Sequence, residues 1–250
     1  MKIVTSNIEQ FKAFFDVVFD VASDTVELKF YPDKLTCSVL DGNRARFFYV
    51  EYEMKFFDEF DVEQVGSEYV SLEDMYKLLK LCNKTDTLTI EINEEKMIAT
   101  VESTTGNTRI FEFVLPSDFV DSPSFPSVQL PIHIDVDIKD IERSVKDIEL
   151  IGTDIFQFVI GSDNVTFMSD GVGSYNQTNY AHVIPMETDV EEVFTIMFSL
   201  PFINQITKFS KISKYASIDV GEQALIYKFD DELMGVTVRG MIAPRIEGEE

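Results

Sequence analysis

Ile8, Phe11, Phe15, Val18 and Phe19 recur at the spacing of one helical face, and the amphipathic stretch Asn7–Ala22 that carries them predicts a first helix. Ser71 stands three residues before Asp74, the start signal of a second helix. Alternating apolar and polar positions predict strands over Thr36–Val39, Phe47–Glu53, Leu88–Ile92, Met97–Glu102 and Arg109–Leu115. Alternation of this kind leaves one strand face polar, so the sheets are expected to be antiparallel and solvated on one side.

The pattern then repeats. Val70–Val101 and Phe198–Phe229 run in step without a gap. Each opens on a Ser-Leu pair, enters a helical stretch with Leu78/Ile206 and Lys80/Lys208 in register, breaks, and resumes as an alternating strand (Leu88–Ile92 against Ala216–Val220). Upstream, Asp33–Gly42 echoes Asp163–Gly171, and Asp137–Leu150 supplies a second amphipathic segment to match Asn7–Ala22. Each half therefore reads helix, strands, helix, strands: an α+β fold of two tandem similar domains, each with two helices on antiparallel sheets.

Between the halves lies Pro116–Pro131, which holds four of the eight prolines and few ionic side chains. Proline lacks the backbone donor that a strand ladder needs, so this segment reads as a connecting loop. Its Phe119, Val120, Phe125 and Val128 are more apolar than a solvated linker requires, which favours a surface loop that offers them. The domain division expected is 1–116, a connector over 117–131, and 132–250.

Charge changes the picture. Forty-five acidic residues face 21 lysines and arginines, a net charge of −24, which taken as a sum argues against nucleic acid. The distribution argues otherwise. Lys12, then Lys77, Lys80 and Lys84, then Lys139, Arg143 and Lys146, then Lys208, Lys211 and Lys214 lie in or beside the four predicted helices. The last of these, Pro201–Lys214, carries no acid, and the second has acids only in its first turn, where they suit the helix dipole. Such stripes are either ordinary solvated faces or phosphate contacts, and their recurrence in corresponding helices brings the two readings level. Cys37 and Cys82 fit neither a CxxC nor a zinc spacing and read as buried reduced thiols. No apolar run reaches membrane-spanning length, and the chain reads as soluble and intracellular.

The duplicated halves, the proline-bearing connector and the closing Met241-Ile242-Ala243-Pro244-Arg245 followed by Glu247 resemble the sliding clamps called proliferating cell nuclear antigen, especially archaeal ones. Asp41 and Arg44 in Leu40–Val50 match the clamp segment usually written MDPSRVALVDL, with Gly42 replacing its proline. The resemblance implies the DNA clamp fold, assembling head to tail as a homotrimeric ring whose helices line a hole for duplex DNA. It implies no catalysis and no cofactor or metal. The ten cations named above would face DNA. Leu40, Arg44, Ala45 and Phe47, with Pro123 and Phe125 and with Met241, Ala243 and Pro244, would form a pocket for partner peptides bearing a glutamine and two aromatics. Arg109, Phe111 and Phe113 of one subunit would meet Tyr175, Gln177 and Tyr180 of the next. Expected partners are DNA polymerase, the clamp loader and other proteins with such peptides. The expected place is the cytoplasm, in association with the nucleoid, for a prokaryotic or viral source, and the nucleus for a eukaryotic one. Two departures stand out: Gly221-Glu222-Gln223 replaces the usual Met-Pro-Leu run, and Phe47 stands near a usual small aliphatic.

Two rivals remain. One is a clamp-like processivity factor acting as a monomer, a dimer or a heterotrimer subunit. The other is an acidic enzyme, for which the sequence offers little: only His133 and His182, no phosphate-binding loop, no nucleophile elbow and no HExxH. His133 reads as structural, and Asp135 with Asp137 lacks EF-hand spacing.

Overall fold

A computed structural model describes residues 1–19, 24–93, 95–117, 122–170 and 179–245. They group into two compact units, Met1–Pro126 with Phe229–Arg239, and Ser127–Lys228 with Gly240–Glu250. The tip of the last hairpin thus belongs with the first unit, a grouping that the expected division at the connector does not contain.

In the first unit, β1 (Lys2–Thr5) precedes α1 (Ile8–Val18), followed by β2 (Thr25–Tyr31), β3 (Lys34–Leu40) and β4 (Arg46–Glu53). After β5 (Glu59–Asp61) and β6 (Gly66–Ser71) comes α2 (Leu72–Leu81), then β7 (Thr87–Ile92), β8 (Lys96–Glu102) and β9 (Thr108–Val114). The second unit runs β10 (Ile132–Asp137), α3 (Ile138–Ile151), β11 (Ile155–Ile160), β12 (Asn164–Asp170), β13 (Asn179–Pro185) and β14 (Phe194–Ser199). It continues through α4 (Leu200–Thr207), β15 (Tyr215–Gly221), β16 (Ala224–Asp231) and β17 (Val236–Ile242). Within the first unit the sheet orders are β5-β1-β7-β8-β9 and β17-β4-β3-β2-β6, the β17 residues there being Val236–Arg239; within the second they are β13-β12-β11-β14 and β10-β15-β16.

The helices start and stop for local reasons. The Ser71 hydroxyl accepts from the Asp74 amide at 3.2 Å, the capping bond the sequence predicts. Asp137 caps α3 by accepting from the Lys139 amide at 2.9 Å, and Gly152, at φ 75°, ends it in the left-handed region that costs glycine nothing. The predicted helix Pro201–Lys214 is shorter than expected: after Thr207 the chain tightens into a 3₁₀ turn over Lys208–Lys211. Residues three apart eclipse in that geometry, so Lys208 and Lys211 stack more directly than an α-helix would place them. α2 likewise stops at Leu81, which leaves Lys84 in the following loop. The end of the expected Asn7–Ala22 helix lies outside the described residues.

The repeat is a repeat of burial. Leu72/Leu200, Met75/Ile203, Leu78/Ile206, Leu88/Ala216, Ile90/Ile218, Ile92/Val220 and Met97/Leu225 are buried in both units. One pair differs greatly in size: Ala99 corresponds to Tyr227, both buried. Room for the ring comes from Gly240, where an added Cβ would sit 2.0 Å from Tyr227 Cζ. Both cysteines are buried free thiols, and burial pushes Cys82 up to about 11 and Cys37 well above the usual thiol range, so neither is poised to react. No helix among the described residues is long and apolar enough to cross a membrane.

Gly240→Ala should destabilise the fold by about 1–3 kcal/mol, since the ring is fully enclosed and has nowhere to retreat. Chemical denaturation of the variant, with and without Tyr227→Phe or Tyr227→Leu, measures it; only the smaller Leu should restore stability.

Candidate nucleic-acid and peptide interface

The predicted cations lie on α1, α2 and α3 or just beyond a helix, with Lys84 after α2 and Lys208, Lys211 and Lys214 after α4. α1 packs beside α2, and α3 beside α4, each pair within its own unit. Each helix turns its apolar residues inward, Phe11, Phe14 and Phe15 on α1 and Ile138, Ile141, Val145 and Ile148 on α3 among them. Geometry then decides where the polar positions go. Lys77, Lys80, Lys84, Lys139, Arg143, Lys146, Lys208, Lys211 and Lys214 are all exposed, whereas Lys12 is half-buried. Several are held in place: Lys77 pairs with Glu73, Lys146 with Glu142 at 2.6 Å, and Lys214 lies 3.7 Å from Asp137. Lys80 lies over the Tyr76 ring at 4.2 Å, and that ring stacks on Phe19 at 3.9 Å. These pairs are exposed and weak, so the ammonium groups stay available to a phosphate.

The segment Leu40–Phe47 is a closed turn organised by one carboxylate. Asp41 is 5% exposed. Its Oδ1 accepts from the Ala45 and Arg46 amides at 2.7 and 3.1 Å, and its Oδ2 accepts from Arg46 Nε at 3.1 Å. Arg44 takes the left-handed region at φ 56°, which lets the chain reverse and pair Leu40 with Phe47 across β3 and β4. The two arginines therefore differ: Arg46 braces the turn, and Arg44 stands exposed on it. Phe47 is buried, and Phe125 of the connector meets it edge-on at 5.2 Å. Leu40, Ala45, Pro123 and Phe125 remain half-buried.

The connector is fastened by residues the sequence reading passed over. The Ser38 hydroxyl donates to the Pro123 carbonyl at 2.9 Å and lies 2.7 Å from the Ser122 hydroxyl, while Lys29 Nζ donates to the Ser122 carbonyl at 3.4 Å. Ser38 sits on the polar face of an alternating strand, a signal that marks a solvated position but not the loop that covers it. Phe119 and Val120 lie outside the described residues.

In the second unit, Met241, Ala243 and Pro244 are half-buried. The chain leaving β17 is tied to β14 by the Arg245 amide, which donates to the Met197 carbonyl at 2.7 Å, and Arg245 pairs with Asp154 at 2.9 Å. Pro244 and Arg245 line a cavity of about 580 Å³ with Thr195, Met197 and Glu222. Glu222, one of the residues that departs from the clamp pattern, thus forms part of the wall beside Pro244.

Of the predicted subunit contacts, Arg109, Phe111 and Phe113 lie on β9 and Tyr180 lies on β13. β9 and β13 each pair on one side only among the described residues. On β9, Ile110 and Val114 are 66% and 79% exposed, and Phe111 stacks along Phe113 at 6.4 Å. Arg109 is partly committed within the chain, donating to the Leu81 carbonyl at 3.0 Å and to Asp86 at 3.3 Å. On β13, the Tyr180 hydroxyl donates to the Ser144 hydroxyl, which also lies 2.9 Å from His182 Nδ1, so both side chains anchor the strand to α3. Tyr175 and Gln177 lie outside the described residues. His133 is exposed on β10, where a hydrogen bond to Asp219 at 2.8 Å raises its pKa. Among the described residues no three His, Cys, Asp or Glu side chains are placed to hold a metal.

Asp41→Ala should cost about 2–4 kcal/mol, because three donors lose a buried charged acceptor at once. Asp41→Asn should cost less. Urea denaturation of both variants separates the two.

No protein-family model matches the chain. It is 23% identical over 245 residues to the DNA polymerase sliding clamp of Methanothermobacter thermautotrophicus, covering 94% of each chain. It is 25% identical to DNA polymerase sliding clamp 3 of Sulfurisphaera tokodaii, covering 90% of this chain and 91% of that one. Its fold superposes on the crystal structure of Proliferating Cellular Nuclear Antigen from Entamoeba histolytica with a TM-score of 0.82 over 98% of each chain, at 16% identity. In sequence the chain is similar to DNA polymerase sliding clamps, and in fold it is similar to proliferating cell nuclear antigen.

Proposed function

We propose that this chain is a sliding clamp: copies of it close head to tail around duplex DNA and hold polymerases and repair proteins there through a peptide pocket. The observation that carries the reading is the exposure of nine of the ten helix-associated cations in a chain of net charge −24. Phosphate contacts from such residues carry no base information, so the protein can slide. No bond is made or broken. Tethering raises the effective concentration of a polymerase at the primer end, and that is the whole of the activity.

The division 1–116, 117–131 and 132–250 belongs to this reading, as does the homotrimer. The exposed edges of β9 and β13 support head-to-tail closure, since pairing them consumes two rows of backbone donors and acceptors. The Phe47–Phe125 contact supports a peptide pocket in the first unit, and the half-buried Met241, Ala243 and Pro244 support its counterpart in the second. A polymerase, a clamp loader and other proteins bearing a glutamine and two aromatics are the partners proposed.

Light scattering at physiological salt should give about three times the chain mass of 28.6 kDa. A monomer or dimer across a wide concentration range would defeat the homotrimer. Lys80→Glu combined with Lys208→Glu should lower polymerase stimulation severalfold and flatten its salt dependence without changing that mass; unchanged stimulation would remove these lysines from the DNA path.

A further inference from the structure

Beneath the connector lies a cavity of about 480 Å³ whose floor is the polar face of β2, β3, β4 and the first-unit part of β17. Three cations, Lys29, Lys34 and Arg239, line it beside a single acid, Glu51. The acid is already engaged, accepting from the Tyr49 hydroxyl at 2.7 Å and from Lys34 Nζ at 2.9 Å. Burial alone would raise its pKa, but these two donors hold it below the usual carboxylate range, so it stays charged and occupied. Lys29 pairs with Glu27 at 3.2 Å. Arg239 is different. It is exposed, and among the described residues its guanidinium makes no hydrogen bond or close ion pair, feeling Glu51 and Tyr49 only through space. A planar donor fork over a floor of hydroxyls fits a carboxylate, which it can grip with two parallel bonds.

We propose that this cavity takes the carboxylate of an acidic residue flanking the aromatic anchor of a docked partner peptide. The inference rests on the peptide-docking reading above. Phe125 connects the two places, lining the cavity and meeting Phe47 at 5.2 Å. A peptide residue spans roughly 3.3 Å when extended, so a flank within a few residues of the anchor reaches the cavity mouth. Charge complementarity favours this occupant, because three cations to one acid make the cavity locally positive in a chain of net −24.

Fluorescence anisotropy with the full chain tests it. The probes are synthetic peptides of one glutamine and two aromatics, with glutamate, glutamine or lysine on either flank. A glutamate flank should bind about tenfold more tightly than a glutamine flank, equivalent to about 1.4 kcal/mol. Arg239→Ala should erase the preference, and Arg239→Glu should transfer it to the lysine flank. Phe125→Ala should weaken all the peptides alike. Equal affinity for the glutamate and glutamine flanks, or a preference untouched by Arg239→Ala, would overturn the carboxylate site and leave peptide docking standing. Failure of every peptide to bind would overturn both.

Discussion

Ile138, Ile141, Val145 and Ile148 leave water when α3 packs on its sheet, each worth about 1.5–3 kcal/mol, and a helix that buries one face has no freedom in placing the other. That constraint fixes Lys139, Arg143 and Lys146 on the outside as firmly as it fixes the isoleucines inside. The same holds for α2, where Leu72, Met75, Leu78 and Leu79 are buried and Lys77 and Lys80 are not. The cations are therefore positioned by the core. Their ion pairs with Glu73 and Glu142 are local and exposed, and they tune the rotamers without choosing the face.

The sheets impose the complementary constraint. A core of repeated strands must end somewhere, and the ends of two of these sheets are β9 and β13. Neither is blunted by a bulge or an interior proline, and β13 carries no Lys, Arg, Asp or Glu, though β9 has Arg109 and Glu112. β9 presents Ile110 and Val114 to solvent, and β13 presents Val183, with lysine and proline scarce along both apart from the terminal Pro185. Instead their inward-leaning side chains are braced from behind: Arg109 reaches the end of α2, while Tyr180 and His182 meet Ser144 on α3. An edge held straight and left open is suited to strand pairing.

The fold was legible because its strongest signals are periodic. The 128-residue offset that aligns Ser71-Leu72 with Ser199-Leu200 also aligns the buried positions, and Ser71 caps α2 as its spacing to Asp74 suggests. Helix ends were less legible. Nothing between Thr207 and Lys214 breaks the helical period, yet the backbone tightens to 3₁₀ there; no glycine or proline marks the change. The candidate pocket was legible only in part, for a physical reason. Leu40, Phe47 and Phe125 announce themselves as apolar residues beside a turn or in a loop. Ser38, Ser122 and Arg239 do not, because a polar residue facing solvent and a polar residue facing a covering loop look the same in a linear pattern.

Asp41 shows how a loop and a pocket can share one fastening. Its carboxylate accepts from Ala45, from Arg46 and from the Arg46 side chain, and so fixes the turn that sets Leu40 opposite Phe47. Phe47 in turn meets Phe125, and Ser38, two residues before Leu40, holds Ser122 and Pro123. The connector is thereby held at both of these points to a single hairpin. An aromatic anchor arriving at Phe125 and a carboxylate arriving at Arg239 would both act on the same short segment, Ser122–Phe125. Each contact would order the loop that the other needs, so the two should reinforce one another more than either acts alone.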